Sequence, residues 1–424
     1  MLNKELFNKK SFIDFSYLFF TNLLKKLFGL LREIILAFFF GSSIIYANFL
    51  LIKTVSDFFS QITFGNALQA NLMPKFSKIF SSKKSVNLNP VFVFTKKSSV
   101  KLFFLSQIVQ IPLIWFFDFE YKLLFIFISI ILGLLVSLNF FNSVFLTILQ
   151  AKGEFKKYSI ATTINVLVST ILLYPFTLIF NLFAVVFSRL IGILTLLYKY
   201  INPLLKYNNQ GYSAKISLQD FNIYILILGN FANIIIILGR FFSGIDGGNT
   251  ITFYTYSVVI FNAFLTAIIM NINTLVLRFI SIQKGIMLTI FSSVISLLIG
   301  LILLFVFNSY SLEIISTVFE YGRFSSIDTI NTALFLRELS WSFVFIFMST
   351  SLFQPFFTLP FETLKNQSKL LIRYFLIFFV LILIYVFKAD CSHTDKLILL
   401  IKYFSISYFI ISIFSVFKYK RYVN

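Results

Sequence analysis

The chain alternates between long apolar runs and short polar clusters. A run of roughly 18 or more apolar residues is long enough to cross the hydrocarbon core as a helix. Twelve such runs can be read, centred near Phe28, Val55, Ile108, Val136, Val168, Phe187, Asn230, Val259, Val294, Val344, Phe378 and Ile410. The first two and the eighth are the least clean. The longest polar stretch near the middle divides the chain into a six-helix half at 1–200, a cytoplasmic linker at 201–221 and a second six-helix half at 222–424. The expected fold class is an all-α integral membrane protein, with about twelve transmembrane helices in two six-helix halves around a central cavity.

The first run departs from the pattern because it contains charge. Leu23–Gly41 reads LLKKLFGLLREIILAFFFG and places Lys25, Lys26, Arg32 and Glu33 among apolar residues. Each ionised group at the centre of a membrane helix costs roughly 2.5–3.5 kcal/mol on insertion scales. Such a helix persists if its charges face a protein-lined, water-filled space, which predicts a transporter with a cationic cavity and an anionic cargo. Seven residues on a helix turn through about two circles. Lys25 and Arg32 therefore share a face with Gly29 between them, while Lys26 and Glu33 share the neighbouring face. A glycine there lets a bulky group approach the backbone. In the competing reading the helix starts later, and Lys25 and Lys26 are interface anchors that snorkel.

Other spans carry fewer charges. Lys53 lies in the second run with Asp57 at i+4, either as a further cavity cation or as half of a self-contained ion pair. Glu33, Asp57 and Glu338 are the candidate carboxylates for ion or charge coupling. Arg337 and Glu338 are adjacent, about 100° apart on a helix, and are expected not to pair. Arg189 is expected to be structural, and the asparagines of the spans, including Asn142 and Asn230, to bond between helices.

Composition agrees with the pattern. Hydrophobic residues make up 58% of the 424, charged residues 12%, and the mean hydropathy is +0.91. Soluble domains carry about 25% charged residues, so a soluble protein is excluded. The 61 phenylalanines accompany abundant Ile, Asn and Lys, all with AT-rich codons, and point to an AT-rich bacterial genome rather than to an aromatic tunnel.

The net charge of +20 could suggest nucleic acid, but its distribution does not. Alternate connecting segments, beginning with 1–11, hold 24 of the 36 Lys and Arg, the opposite set holds five, and seven lie within spans. This positive-inside bias places both termini in the cytoplasm and makes nucleic-acid binding unnecessary. The first apolar run is too long for a cleaved signal peptide and is read as a retained span.

Cys391 and His393 are the only cysteine and histidine, so no intrachain disulfide and no Cys/His metal site is expected. No cofactor is expected either. A membrane enzyme would need a catalytic His or an acidic pair, and His393 reads as a solvated loop residue. No Gly-rich phosphate loop or carboxylate pair is present, so the chain is expected not to be an enzyme.

The two halves share a weak echo: Arg32 before Gly41 and then Tyr46, Arg240 before Gly244 and then Tyr254. Four stretches, 23–43 with 64–77, 142–167, the eighth-span region and 316–340, also follow a familiar order. Lys25, Lys26, Gly29, Arg32, Glu33, Phe40 and Gly41 resemble the opening pattern Ser-Arg-x-x-Gly-x-x-Arg-Asp, an apolar run and Phe-Gly. Gly65, Asn66, Ala67 and Pro74 match a second motif. Gly322, Arg323 and Phe324, followed by Asp328 and Thr329, match a third. In order, these resemble the MviN/MurJ-type lipid II flippase family of the multidrug/oligosaccharidyl-lipid/polysaccharide (MOP) exporter superfamily, over roughly residues 15–360. There are departures. Lys26 stands for the first arginine and Glu33 for the aspartate. The acidic residue expected near Ala47 and the arginine expected among Tyr256–Phe261 are missing, as are two further spans after the twelfth.

The resemblance implies a MATE/MOP-like fold in the bacterial inner membrane. It implies a monomer, in contact with membrane lipids, that moves a polyprenyl-diphosphate-linked saccharide such as a lipid II-like peptidoglycan precursor outward by alternating access. Lys25, Lys26, Gly29, Arg32 and Lys53 would hold the anionic head. The departures leave open a flippase for polysaccharide or O-antigen-type lipid-linked oligosaccharides, a MATE-like exporter of the same fold, or a relative without transport activity.

Overall fold

Residues 9–63, 66–82, 85–207, 211–217, 220–273, 276, 280 and 286–423 are described by the computed structural model. Gly65 of the second motif and the basic residues Lys83, Lys84, Arg278 and Lys284 lie outside them.

Leucine, phenylalanine and isoleucine fill long helical stretches, and a few turn residues end them; the helix Met287–Phe319 is kinked at Tyr310. α1 spans Lys9–Phe40 and α2 spans Ile44–Thr63. Between them Gly41 takes φ +51°, and its N–H donates to Ala37 O at 2.8 Å, closing the last turn of α1 with a left-handed residue. α3 follows at Asn66–Ser82, then the two-residue strand β1 at Val86–Asn87. α4 (Asn89–Phe116), α5 (Lys122–Ala151), α6 (Phe155–Phe180) and α7 (Phe183–Leu196) are next. α7 runs through a π turn at Leu197–Ile201 into the short α8 (Asn202–Tyr207), and β2 follows at Tyr212–Ser213.

The second part begins with α9 (Ile223–Gly229) and α10 (Phe231–Ser243). α11 (Thr250–Phe264), α12 (Met287–Phe319), α13 (Ser326–Leu352), α14 (Phe361–Lys388) and α15 (His393–Val423) complete the chain.

All twelve expected centres fall on these helices or, for Asn230, at a break between two. Among the described residues nine helices are long and apolar enough to cross a membrane, or ten if the bent pair α9–α10 is one span. α1 and α2, of 32 and 20 residues, are long enough but are not among the nine. Their charged and polar positions lower the hydropathy that length alone would give. The span expected around Asn230 is broken, with α9 and α10 bent 78° apart. There the Asn230 amide donates back to Leu226 O at 3.1 Å, compensating a helix end locally instead of bonding to another helix as expected.

The chain divides into two compact units: Met1–Ile35 with Val55–Asn222, and Leu36–Thr54 with Ile223–Asn424. The tip of the α1–α2 hairpin thus belongs to the second unit although it lies early in the sequence.

In the first unit the polar segment before α9 is more than a tether. β2 pairs in parallel with β1, Val86 opposite Tyr212 and Asn87 opposite Ser213. Asp220 accepts from Lys75 Nζ at 2.7 Å, and Phe221 stacks on Phe94 with ring centroids 5.9 Å apart. Deeper in this unit, a buried polar chain links three helices. Gln110 donates to Ser56, and Gln107 donates to Gln110 Oε1 at 3.3 Å and to Ser129 O at 2.8 Å.

In the second unit, two of the sequence motifs meet across nearly the whole chain. The Arg323 N–H donates to Phe38 O at 2.9 Å, and Ser42 Oγ donates to Asp328. Asp328 also closes a capping box with Ser325 at the start of α13. Phe40 stacks on Tyr46, Tyr46 on Tyr256, and Tyr256 packs against Phe319 and Phe324.

Candidate functional site

On α1, Phe20, Leu23, Leu24, Leu27, Leu31 and Phe38 are exposed. At 100° per residue they fall within about 100° of one another, as a lipid-facing stripe should. Lys25, Gly29 and Arg32 fall within about 60° on the opposite side, with Lys26 and Glu33 just beyond Gly29. The charges and the lipid stripe are therefore segregated on one helix.

The surroundings differ along this face. Arg32 is buried to 7% exposure, whereas Lys25, Lys26 and Glu33 are half-buried. A Cβ added at Gly29 would meet nothing within 4 Å, so the backbone there borders open space. Lys25 Nζ donates to Thr162 Oγ1 of α6 at 3.0 Å and lies 6.0 Å from the centre of the Tyr158 ring. Among the described residues no carboxylate pairs with Lys25 or Lys26. The two ammonium groups are adjacent in sequence and have no neutralising carboxylate among the described residues, an arrangement that an incoming anion relieves.

The other sequence candidates are distributed. Asp57 belongs to the first unit with Lys25, Lys26, Gly29, Arg32 and Glu33, while Lys53 and Glu338 belong to the second. Lys53 is buried to 7% and Asp57 half-buried, one turn apart on α2. Glu338 is exposed and accepts from Arg337 Nε at 3.2 Å. That corrects the expectation that these neighbours do not pair. Both side chains are long and exposed, and they bend toward each other across the 100° that separates their Cβ directions. Arg240, the counterpart of Arg32 in the internal echo, is also buried, to 8%. Where the resemblance expects an arginine in the eighth span, the Tyr256 hydroxyl donates to Gly41 O at 3.4 Å.

Sequence reasoning missed Thr162 and Tyr158. Both lie in the 142–167 stretch, but only the packing of α6 on α1 brings them to Lys25. It also missed the Gln107–Gln110–Ser56 chain, although two glutamines within the apolar run of α4 were a visible signal. Asn142 is buried with neither amide atom bonded among the described residues.

Outside the spans, Asp118 lies 2.6 Å from Lys122, whose hydrogen bond and charge hold the carboxyl below its usual range. Burial pushes Lys152 down, and its ammonium sits 5.2 Å from the Phe80 ring centre. No group of three or more His, Cys, Asp or Glu among the described residues is arranged to hold a metal.

No protein-family model matches the chain, and no curated protein matches it. Solved structures do. A lipid II flippase MurJ in an inward closed conformation superposes with TM-score 0.70 at 17% identity, covering 96% of this chain and 87% of that one. An inward-facing multidrug resistance MATE family transporter of the MOP superfamily gives TM-score 0.63 at 15% identity, covering 94% of each chain. A MOP superfamily transporter from Pyrococcus furiosus, described as having a binding pocket of reverse polarity, gives 0.60 at 14% identity over 97% of this chain and 95% of that one. At these identities the likeness is one of fold: the chain has the all-helical membrane fold of the MOP superfamily.

Proposed function

We propose that the chain is an alternating-access flippase of the bacterial inner membrane, with both termini cytoplasmic. Its cargo is an anionic, polyprenyl-diphosphate-linked saccharide of the lipid II type. The observation that carries this reading is the pair Lys25 and Lys26, neither matched by a carboxylate among the described residues, on the same helix as the open backbone at Gly29 and the buried Arg32. A diphosphate supplies the missing negative charge. Two ammonium groups act as point charges, while a guanidinium offers a planar fork for bidentate contact. A cationic drug would meet repulsion on the same face, which disfavours the MATE-like alternative. The solved MurJ neighbour is described as a lipid II flippase, and the shared fold is compatible with that cargo.

The inside-negative potential favours outward movement of an anion by about 2.3 kcal/mol per charge per 100 mV. Flipping in vesicles is expected to slow when the potential is clamped to zero; an unchanged rate would remove the field from the mechanism.

The primary test is complementation. A bacterium depleted of its own lipid II flippase receives this chain or its Arg32→Ala form at matched membrane levels. Growth with the native form alone is expected. Failure of both, with expression verified, transfers the cargo to another lipid-linked oligosaccharide.

A further inference from the structure

Lys25 is held in an unusual way for a cation within an apolar helix. Its partner is a neutral hydroxyl, Thr162 Oγ1 at 3.0 Å, with the Tyr158 ring on one side. The direction of that bond is fixed by α6 itself. The Thr162 oxygen lies 3.1 Å from both Tyr158 O and Ser159 O, so its single proton is directed to a backbone carbonyl. A lone pair is left for the ammonium. Thr163, the next residue, bonds back to Ser159 O at 2.8 Å, whereas Lys25 engages Thr162. The position is therefore specific to residue 162.

An ammonium has three donors. One engages Thr162, and two remain for a ligand. Without that acceptor the flexible lysine stem is free to take other rotamers and carry its charge away from α6. We propose that Thr162 is a positioning residue for the anion site: its hydroxyl oxygen, with the Tyr158 ring nearby, holds the Lys25 ammonium against α6. The inference rests on the anion-binding reading given above. It is separable from the packing of α6, because the two helices also meet elsewhere: Thr170 Oγ1, which bonds back to Val166 O at 2.9 Å, lies 3.3 Å from Phe28 O. Losing the Thr162 acceptor leaves that contact in place.

The test is a double-mutant cycle on the full-length chain in nanodiscs of zwitterionic lipid. The probe is undecaprenyl diphosphate, with undecaprenol as the uncharged control. Thr162→Val keeps the shape and removes the acceptor. It is expected to weaken diphosphate binding about tenfold, the scale of one hydrogen bond to a charged group, and to leave undecaprenol binding unchanged. Thr162→Ser is expected to restore binding. In a Lys25→Met background, Thr162→Val should cost nothing further, because the residue acts only through Lys25. Additive losses in the double variant, or equal loss for the uncharged probe, would overturn the assignment. If Lys25→Met weakens diphosphate binding while Thr162→Val does not, the positioning role fails and the anion site stands. If Lys25→Met has no effect, both fail.

Discussion

Gly29 is the residue at which space and charge coincide. A Cβ there meets nothing, so the position tolerates size without disturbing the fold. Gly29→Ala is expected to raise thermal stability in detergent slightly, by about 0.5–1 kcal/mol, because glycine is a poor helix former. Gly29→Leu is expected to keep the fold, read by melting temperature, and to abolish transport by filling the space where the head group approaches. A Gly29→Leu chain that still complements would place the cargo elsewhere. The same reasoning separates Lys25 from Lys26. Both were legible in the sequence as charges in an apolar run, but the hydroxyl that holds Lys25 comes from α6, 137 residues later, and no spacing rule reaches that far.

Elements are joined in this chain by backbone approach as much as by side chains. At the clasp in the second unit, Gly41 and Gly322 both take left-handed conformations, φ +51° and +63°. A Cβ on Gly41 would lie 2.4 Å from Arg323 O, and one on Gly322 would lie 2.4 Å from Phe38 O. Each glycine thus admits the carbonyl of the other segment. An L-residue in this conformation already costs roughly 1–2 kcal/mol, and the backbone overlap adds to it. Gly41→Ala and Gly322→Ala are each expected to destabilise by more than about 2 kcal/mol, seen as a clear drop in melting temperature, in contrast to Gly29→Ala. The Phe-Gly and Gly-Arg-Phe patterns were visible in the sequence as separate motifs. That they are two sides of one contact was not, because it depends on how α1, α12 and α13 pack.

For the whole molecule, membrane orientation is the property most open to direct measurement. In a Cys391→Ser background, Glu120→Cys is expected to react with an impermeant maleimide on intact cells, and Ser217→Cys only after permeabilisation. The reverse pattern would invert the topology. The sequence by itself determined the membrane class, the positions of most of the long helices and the shared face of Lys25 and Arg32 on α1, because hydrophobic length and helical periodicity are local properties that each segment carries alone. It did not determine that the α1–α2 tip joins the second unit, that the segment before α9 is bound to the first by a parallel strand pair and the Lys75–Asp220 ion pair, or that Lys25 rests on Thr162. Those depend on side chains and carbonyls brought together from distant parts of the chain, and in an apolar solvent a polar group takes whichever partner the packing supplies.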